Sequence, residues 1–264
     1  MNYWTKKSAD LAAADGYLDD LYEVYPIKLN ACRTLTAQKE ERIRQAFASG
    51  DDNAFLSEIL DLDLFPIKDS FVAFLKRNKS AISKNPKTVD RIVRNLRTMD
   101  IDEIIRRCME PKETNRQMGP MFKNWIDSGA LGLPVFKSIR EFMDFEGNCL
   151  LNMSDAEMYN FAKTQLGFNR EKGIDFIARV SGKYIIGETK FLTDFGGHQN
   201  AQFSDAVSSI DSKFESENVI PGAIMDGVLY IHGNNKMYRY LNNHPESIII
   251  SALLLKDFLN SIRE

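Results

Sequence analysis

The feature that most constrains the fold of this chain is a predicted β-hairpin at residues 174–192. The runs IDFIARV and KYIIGETKFL are rich in β-branched and aromatic residues, which are typical of strands. Ser181 and Gly182 lie between the two runs and suit a two-residue turn. Such a turn pairs Val180 with Lys183, and every other pair across the hairpin follows from that register.

The register places two acids against each other. Continuing the ladder puts Asp175 opposite Glu188, where Cβ atoms are roughly 4.5–5.5 Å apart and like charges destabilise a sheet. A divalent cation is the simplest compensation, because Mg²⁺ binds carboxylate oxygens together with water. Lys190 lies on the same face of its strand as Glu188 and can hold a water or stabilise charge on a phosphate. The alternative is an edge hairpin whose charges are solvated.

The context of this motif separates it from two similar triplets. The chain has (Glu/Asp)-x-Lys triplets at residues 110–112, 188–190 and 211–213. The first contains a proline after a helical run, and the third lies in a predicted helix. Only the triplet at 188–190 lies on a strand that follows an acid-bearing strand, so only it predicts a metal site.

Two stretches of the chain resemble a known family. Gly173-Ile174-Asp175 followed by Gly187-Glu188-Thr189-Lys190 resembles the PD-(D/E)XK nuclease core, with Ile174 in place of the proline. FLTDFGGHQ at residues 191–199 resembles a group of type II restriction endonucleases, and so does NRQMGP at residues 115–120, followed by Phe122 and Trp125. The chain therefore looks like a type II restriction endonuclease of this superfamily.

This resemblance implies both a fold and a chemistry. The fold is α/β, with a mixed sheet flanked by helices and a mainly helical N-terminal region. The chemistry is hydrolysis of phosphodiester bonds in double-stranded DNA at a specific sequence, with one or two Mg²⁺ per active site and commonly by a homodimer. Asp175 and Glu188 are then metal ligands, the Thr189 carbonyl is a further ligand, and Lys190 positions the attacking water.

A further acid lies on the predicted helix SDAEMYNFAKTQLG, before the hairpin. The resemblance implies that Glu157 joins the catalytic site, where it binds a second metal or orients a water. The competing interpretation is a capping box, in which Ser154 caps the helix and Glu157 bonds back to the Ser154 backbone. The two roles compete for one side chain.

Polar residues on both sides of the hairpin are candidates for reading DNA. Asn and Gln can bind adenine bidentately in the major groove, and Arg prefers guanine. The candidates are His198, Gln199, Asn200 and Gln202 after the hairpin, and Arg116 and Gln117 before it. The alternatives are a polar loop with amides in capping roles for the first set, and a surface salt bridge for the second.

Residues 76–98 form a basic stretch, with eight Lys and Arg residues against one acid, Asp90. The whole chain has a net charge of −3, so only this local patch predicts contact with the DNA phosphates. Lys84 and Arg91 are the candidates for that contact. The alternative is a solvated helical face.

The residue pattern along the chain predicts two regions. Residues 1–140 are expected to be a mainly helical region that contributes to DNA recognition, and residues 141–264 an α/β nuclease core. Gly119-Pro120 predicts an interruption of the helical pattern. In the second region a helix is predicted over residues 201–216, and strands over 222–233 and 247–255.

Composition excludes several classes of protein. Cys32, Cys108 and Cys149 are far apart and form no CxxC pair, which argues against a disulfide framework and a cysteine zinc site. The longest apolar runs are about half of a membrane span, and no secretory signal is visible. We expect a protein of the bacterial or archaeal cytoplasm without membrane contact.

The function that the sequence favours is that of a type II restriction endonuclease paired with a cognate DNA methyltransferase. One alternative is a DNA repair or junction-resolving nuclease on the same core. Another is a non-catalytic DNA-binding protein, although the intact set of Asp175, Glu188 and Lys190 counts against it.

Overall fold

The chain forms two compact units. The structure is a computed structural model that describes residues 1–27, 32–111, 117–171, 173–212 and 214–263. One unit, here the sheet unit, comprises Met1–Ile27 and Thr114–Glu264; the other, the helical unit, is Lys28–Glu113. This division differs from the predicted regions 1–140 and 141–264, because residues before 140 supply helices that cover the sheet.

The secondary-structure elements are as follows. The helices are α1 (Tyr3–Ala12), α2 (Tyr17–Val24), α3 (Ala37–Ser49), α4 (Asp52–Leu60), α5 (Val72–Arg77), α6 (Ala81–Lys84), α7 (Pro86–Leu96), α8 (Ile101–Cys108), α9 (Met118–Asp127), α10 (Ile139–Asp144), α11 (Asp155–Leu166), α12 (Gly197–Ile210), α13 (Lys236–Asn243) and α14 (Leu255–Ser261). The strands are β1 (Val135–Phe136), β2 (Cys149–Leu151), β3 (Phe176–Val180), β4 (Lys183–Leu192), β5 (Val219–Gly227) and β6 (Ile249–Ile250).

The sheet is mixed, and its six strands are ordered as they occur in the chain. β3 runs antiparallel to its neighbours β2 and β4, whereas β1 pairs parallel with β2, and β5 lies parallel to both β4 and β6. The turn between β3 and β4 has positive φ at Ser181 (51°) and Gly182 (75°), as a type I′ hairpin turn requires. Val180 pairs with Lys183. The predicted hairpin is therefore confirmed in its turn and its register.

Helices cover both faces of the sheet. One face packs against α2, α9 and α14 through residues such as Phe122, Phe176 and Phe258. The opposite face packs against α10 and α11, where Phe161 is buried, and against α12 and α13, where Phe203 is buried. The α/β class is therefore confirmed, and the functional candidates on β3 and β4 lie in the middle of the sheet.

The first helix covers the β6 edge of the sheet. The backbone N–H of Ile249 donates to Thr5 Oγ1 at 3.2 Å, and that of Ser251 donates to Ser8 Oγ at 2.9 Å. An edge strand leaves such donors unpaired and open to other chains. The side chains of α1 therefore complete the hydrogen bonding of the last strand.

Asp226, at the end of β5, is one of two buried charged side chains among the described residues and is 0% exposed. Its carboxylate accepts hydrogen bonds from Tyr17 Oη (3.3 Å), Tyr25 Oη (2.9 Å), Ser251 Oγ (2.5 Å) and Ala252 N (3.2 Å). Burial raises the pKa of Asp226, and these donors oppose that rise. The carboxylate thus joins α2, β5 and the segment after β6.

The helical unit has a hydrophobic core of its own. Phe55, Ile92 and Ile104 are among its fully buried side chains. Asp51 caps α4 by accepting from the Ala54 backbone. Pro86 occupies the first turn of α7, where the missing N–H costs no helical hydrogen bond. The described part of this unit contains helices and loops without strands.

Four sequence predictions about the elements differ from the structure. The helix predicted over residues 201–216 is α12, Gly197–Ile210, and the strand predicted over residues 247–255 is limited to Ile249–Ile250, because a 3₁₀ turn at Ala252–Leu254 and α14 follow it. α9 runs through Gly119-Pro120, because both residues lie in its first turn, where the backbone N–H groups have no acceptor within the helix. The strand predicted over residues 222–233 ends at Gly227, where φ is 98°, and a 3₁₀ turn follows at Val228–Tyr230. No helix of the described residues is long and apolar enough to span a membrane.

Gly227 should be intolerant of any side chain. Its φ is +98°, and a Cβ there would lie 2.0 Å from the Leu192 carbonyl oxygen. We expect Gly227→Ala to lower the free energy of unfolding by at least about 2 kcal/mol, from backbone strain and the clash together. Chemical denaturation followed by circular dichroism measures this. Gly233→Ala is the control, because its Cβ would meet nothing closer than 3.7 Å; equal losses in both variants would contradict the argument.

Candidate active site

The hairpin brings the carboxylates of Asp175 and Glu188 close together. Asp175 immediately precedes β3, and its backbone N–H donates to Gly187 O at 3.2 Å. The β3–β4 ladder ends at the pair Phe176 and Gly187, so Asp175 lies just beyond the last pair, and Glu188 follows Gly187 on β4. Asp175 Oδ2 and Glu188 Oε2 each lie 3.3 Å from Lys190 Nζ, at the centre of the sheet.

The Lys190 ammonium lies between these acids. Its Nζ is 3.3 Å from Asp175 Oδ2 and 3.3 Å from Glu188 Oε2. It also donates to the Thr189 carbonyl oxygen at 3.1 Å. The Thr189 backbone N–H donates to Asp175 Oδ2 at 2.8 Å. Three oxygens from three different residues therefore converge on one cationic centre.

Burial and mutual attraction set the charge states of this cluster. Burial raises the pKa of Asp175, and the nearby Lys190 ammonium and Thr189 N–H oppose that rise only in part. Burial alone would lower the pKa of Lys190, but the carboxylates of Asp175 and Glu188 raise it above its usual value. Lys190 therefore stays charged as the counter-ion of the two acids.

Two glycines let β4 and β5 approach each other beside Glu188. Gly187 pairs with Gly222 across the parallel ladder. A Cβ on Gly187 would lie 2.8 Å from the Gly222 carbonyl oxygen, which is closer than real contacts allow. The glycine before Glu188 is therefore a requirement of the sheet, and it sets the position of Glu188 on the strand.

Helix α12 buries Glu188 from behind. The Glu188 side chain is 2% exposed. Its Oε1 accepts a short hydrogen bond from Ser209 Oγ, in the last turn of α12. The Glu188 carboxylate is thus held on one side by a neutral donor and on the other by Lys190. Sequence reasoning missed Ser209, because nothing in a helical pattern indicates which strand residue a serine faces.

A cleft of about 610 Å³ reaches Asp175 and Thr189 of this cluster. Residues of α9, of the segment after β2 and of the start of α11 line other parts of it. The lining residues are Gly119, Pro120, Phe122, Lys123, Asn124, Asp127, Lys137, Asn152, Met153, Asp155, Glu157, Asp175 and Thr189. A cleft of this kind gives a ligand access to the Asp175 carboxylate.

Glu157 forms the predicted capping box. Ser154 N donates to Glu157 Oε2 at 3.1 Å, Ser154 Oγ donates to the same atom at 2.6 Å, and Glu157 N donates to Ser154 Oγ at 3.3 Å. These bonds lower the pKa of Glu157. The side chain borders the cleft, but its carboxylate is directed at its own helix terminus, which favours the cap over a catalytic role.

Asp155 is the acid of α11 that sequence reasoning missed. It lines the same cleft, and its charge contributes to the raised pKa of Asp175. Its Oδ1 accepts a short hydrogen bond from Lys123 Nζ, on α9. The spacing of a capping box identifies Ser154 and Glu157. It does not reveal that Asp155, the acid between them, lies close enough to influence Asp175.

A hydrogen-bonded wall fixes α9 against β2. Asn152 Nδ2 donates to Asp127 Oδ1 at 2.6 Å and to Lys123 O at 2.9 Å. Lys137 Nζ lies 2.6 Å from Asp127 Oδ2. The wall therefore holds the Lys123 backbone, and with it the cation that pairs with Asp155, at a defined place on the cleft.

The polar residues after the hairpin differ in accessibility. Gln199 is 6% exposed, and its amide oxygen accepts from Thr193 N at 3.3 Å. Asn200 Nδ2 donates to Phe195 O at 2.7 Å. His198 is exposed and Gln202 partly exposed, with His198 Nε2 3.1 Å from Gln202 Nε2. The placement of Gln199 and Asn200 favours the alternative in which these amides hold the loop.

The remaining DNA-binding candidates lie apart from this loop in the sequence. Arg116 is outside the described residues, and Gln117 immediately precedes α9. In the helical unit, Lys84 and Arg91 are exposed. Arg91 forms a short ion pair with Asp69 and lies over the Phe71 ring, 5.5 Å from its centroid. Part of the positive charge predicted for the basic stretch is therefore compensated by acids of the same unit.

The oxygen donors of the site consist of carboxylates and a backbone carbonyl. Within the described ranges, no group of three or more His, Cys, Asp or Glu side chains is arranged to hold a metal ion. Asp175 Oδ2, Glu188 Oε2 and Thr189 O are nevertheless all within 3.3 Å of one atom, Lys190 Nζ. Any cation site here would combine two side chains with the Thr189 carbonyl.

Comparison with protein families assigns the chain to a class of enzymes. The model of the Tsp45I type II restriction enzyme family matches residues 2–262, nearly the whole chain. The chain belongs to the Tsp45I family of type II restriction enzymes. No curated protein and no solved structure matches it. A Tsp45I-family enzyme is a site-specific deoxyribonuclease of a restriction–modification system. The family match therefore supports a restriction enzyme and not a repair nuclease.

Asp175 should be required for DNA cleavage by this Tsp45I-family enzyme and dispensable for its stability. Because burial raises the pKa of the Asp175 carboxyl, folding disfavours its charged form at neutral pH. We expect Asp175→Asn to have an equal or higher thermal midpoint and a cleavage rate at least about a hundredfold lower.

Thermal denaturation and a plasmid cleavage assay on the same preparation check this prediction. Glu217→Gln is the matched control, since Glu217 is an exposed acid of the sheet unit. An Asp175→Asn variant with a lower thermal midpoint than the wild type would instead show that the Asp175 carboxylate stabilises the fold.

Proposed function

We propose that this Tsp45I-family enzyme cleaves double-stranded DNA at the Asp175–Glu188–Lys190 cluster, with Mg²⁺ as cofactor, on a nuclease core of the PD-(D/E)XK kind. The convergence of three oxygens on Lys190 Nζ, at 3.1 to 3.3 Å, is the observation that supports it. Mg²⁺ prefers hard oxygen ligands of this type and few protein side chains. The donor set therefore fits the ion.

Asp175, Glu188 and the Thr189 carbonyl would hold the metal. When bound, Mg²⁺ supplies charge neutralisation at the phosphate and lowers the pKa of a water. Lys190 must then leave the point where the oxygens meet, since a cation would compete for it. Its ammonium remains tethered to the same strand, where it can donate to the attacking water or to a phosphate oxygen.

The walls of the cleft would orient the DNA for this attack. Asp155 is the better candidate than Glu157 for an additional acid of the site, since Glu157 is bonded into its helix cap. Lys123, paired with Asp155, is placed to take a phosphate when the pair opens. This assignment gives a function to Asp155, which borders the cleft and, unlike Glu157, is not bonded into the helix cap.

Recognition of the sequence is assigned to two surfaces. His198 and Gln202, which project from one side of α12, are the residues of the predicted loop that are open to a base. Gln117, which immediately precedes α9, keeps its proposed role in reading a base, and so does Arg116, which is outside the described residues. Lys84 and Arg91 of the helical unit are proposed to contact phosphates without reading sequence, which is the contribution to DNA recognition expected of the N-terminal region.

The working enzyme is proposed to be a homodimer in the bacterial or archaeal cytoplasm, paired with a cognate DNA methyltransferase. A duplex has two strands to cut, and the described residues contain one Asp175–Glu188–Lys190 cluster per chain. Two chains acting together would give one cluster per strand. The methyltransferase would protect the host's own copies of the recognition sequence.

Cleavage should require both a divalent ion and the cluster. We expect the purified enzyme to cut unmethylated phage DNA into discrete bands with Mg²⁺, and not with a chelator. Lys190→Met should abolish these bands while DNA binding in a gel-shift assay persists. A smear with Mg²⁺ would argue against sequence specificity, and undiminished cutting in the chelator would overturn the metal-dependent mechanism.

Asp155 and Glu157 should differ in their effect on cleavage. We expect Asp155→Asn to lower the cleavage rate by about 10- to 100-fold, as loss of a group that orients a metal site does. Glu157→Gln should stay within about threefold of the wild type, because Gln also completes a capping box. Single-turnover cleavage of a duplex that carries the mapped site measures both. The reverse ranking would return the catalytic role to Glu157.

A further inference from the structure

Ser209 differs from the neighbouring serines of its segment in where its hydroxyl donates. Ser208 Oγ donates to Asp205 O at 2.8 Å, and Ser212 Oγ donates to Ser208 O at 3.0 Å, as serines in helices commonly do. The Ser209 hydroxyl lies farther from its own helix carbonyl, Asp205 O, at 3.4 Å. It instead donates a short hydrogen bond to Glu188 Oε1.

This bond lies in a dry part of the molecule. Ser209 is 9% exposed and Glu188 is 2% exposed. A hydrogen bond to a charged acceptor is stronger than one between neutral groups, and more so away from water. The bond therefore restrains how the Glu188 carboxylate turns about its last torsion.

The restraint has a direction. With Oε1 held by Ser209, the other oxygen, Oε2, is the one that faces Lys190 Nζ at 3.3 Å. Oε2 is also the oxygen on the side of Asp175, whose Oδ2 lies 3.3 Å from the same nitrogen. The α12 hydroxyl thus selects which Glu188 oxygen is presented to a cation.

We propose that Ser209 is a positioning residue that sets the divalent-ion affinity of the site by fixing the orientation of Glu188. The proposal rests on the metal-dependent function proposed above. Without the hydroxyl, Glu188 samples more orientations, and ion binding must order it. Loss of such an outer partner typically weakens metal binding by about 10- to 100-fold.

The test measures ion binding separately from cleavage. Full-length protein without DNA is titrated with Mn²⁺, and free Mn²⁺ is followed by electron paramagnetic resonance. In parallel, the cleavage rate of a duplex substrate is measured against Mg²⁺ concentration. The variants are Ser209→Ala, Ser209→Thr, which keeps a hydroxyl, and Ser212→Ala, a control serine whose hydroxyl donates to Ser208 O.

We expect Ser209→Ala to raise the Mn²⁺ dissociation constant, and the Mg²⁺ concentration for half-maximal cleavage, by about tenfold or more. The rate at saturating Mg²⁺ should stay near that of the wild type. Ser209→Thr should restore most of the affinity, and Ser212→Ala should match the wild type. In a Glu188→Gln background, Ser209→Ala should have no further effect, because its charged partner is gone.

Unchanged ion affinity and Mg²⁺ dependence in a folded Ser209→Ala variant would overturn the proposal, and so would an equal effect of Ser212→Ala. If Ser209→Ala is unfolded at the assay temperature, Ser209→Cys gives the same comparison, because a thiol of similar size is a much weaker donor. Failure of the proposed function gives a different result. The wild type and Asp175→Asn would then bind Mn²⁺ equally, whichever residue occupies position 209.

Discussion

The closeness of the Asp175 and Glu188 carboxylates is the interaction on which the rest of the site depends, since both lie 3.3 Å from Lys190 Nζ. Two carboxylates so close together repel, and burial makes their charges costlier still. This cost is offset by groups close to the acids. The Lys190 ammonium lies between the carboxylates, and Thr189 and Ser209 donate hydrogen bonds to them. Each neighbouring element is placed so that one of these groups reaches the acids.

The geometry of the sheet is adapted to that arrangement. A two-residue turn fixes the register, and the paired glycines 187 and 222 bring β4 and β5 close beside Glu188. The crossover helix α12 then covers the acid from behind and contributes Ser209. Stability arguments alone would favour apolar residues at 175 and 188. Retaining charges there is the kind of local inconsistency that marks functional positions.

Much of the site could be predicted from the sequence because hairpin registers are local. The Ser181-Gly182 turn determines the register from Val180 and Lys183 to Phe176 and Gly187, and so brings residues 175 and 188 to the same end of the ladder without any knowledge of the rest of the fold. The capping box of Ser154 and Glu157 was likewise local and was found where predicted. Features that a few neighbouring residues determine are therefore predicted well from the sequence.

The contacts that the sequence did not predict are those between elements far apart in the chain. Asp155 and Glu157 are two residues apart and both border the cleft, but only the packing of α11 against α9 gives Asp155 its contact with Lys123. The burial of Gln199 depends on how its loop folds back on Thr193. The end of β5 depends on the approach of Gly227 to Leu192. Such contacts follow from tertiary packing, which the periodicity of apolar residues in the sequence does not reveal.

The buried carboxylate of Asp226 has a consequence for how the protein is made. Its partners Tyr17 and Ser251 are far apart in the sequence, 209 residues before it and 25 after it. During synthesis on the ribosome this acid lacks part of its hydrogen bonding until Ser251 has emerged. Contacts of such long sequence separation form late and slowly. The sheet unit therefore gains these contacts only after Ser251 has been synthesised, so a nascent fragment that stops before Ser251 would lack this link between α2, β5 and the segment after β6.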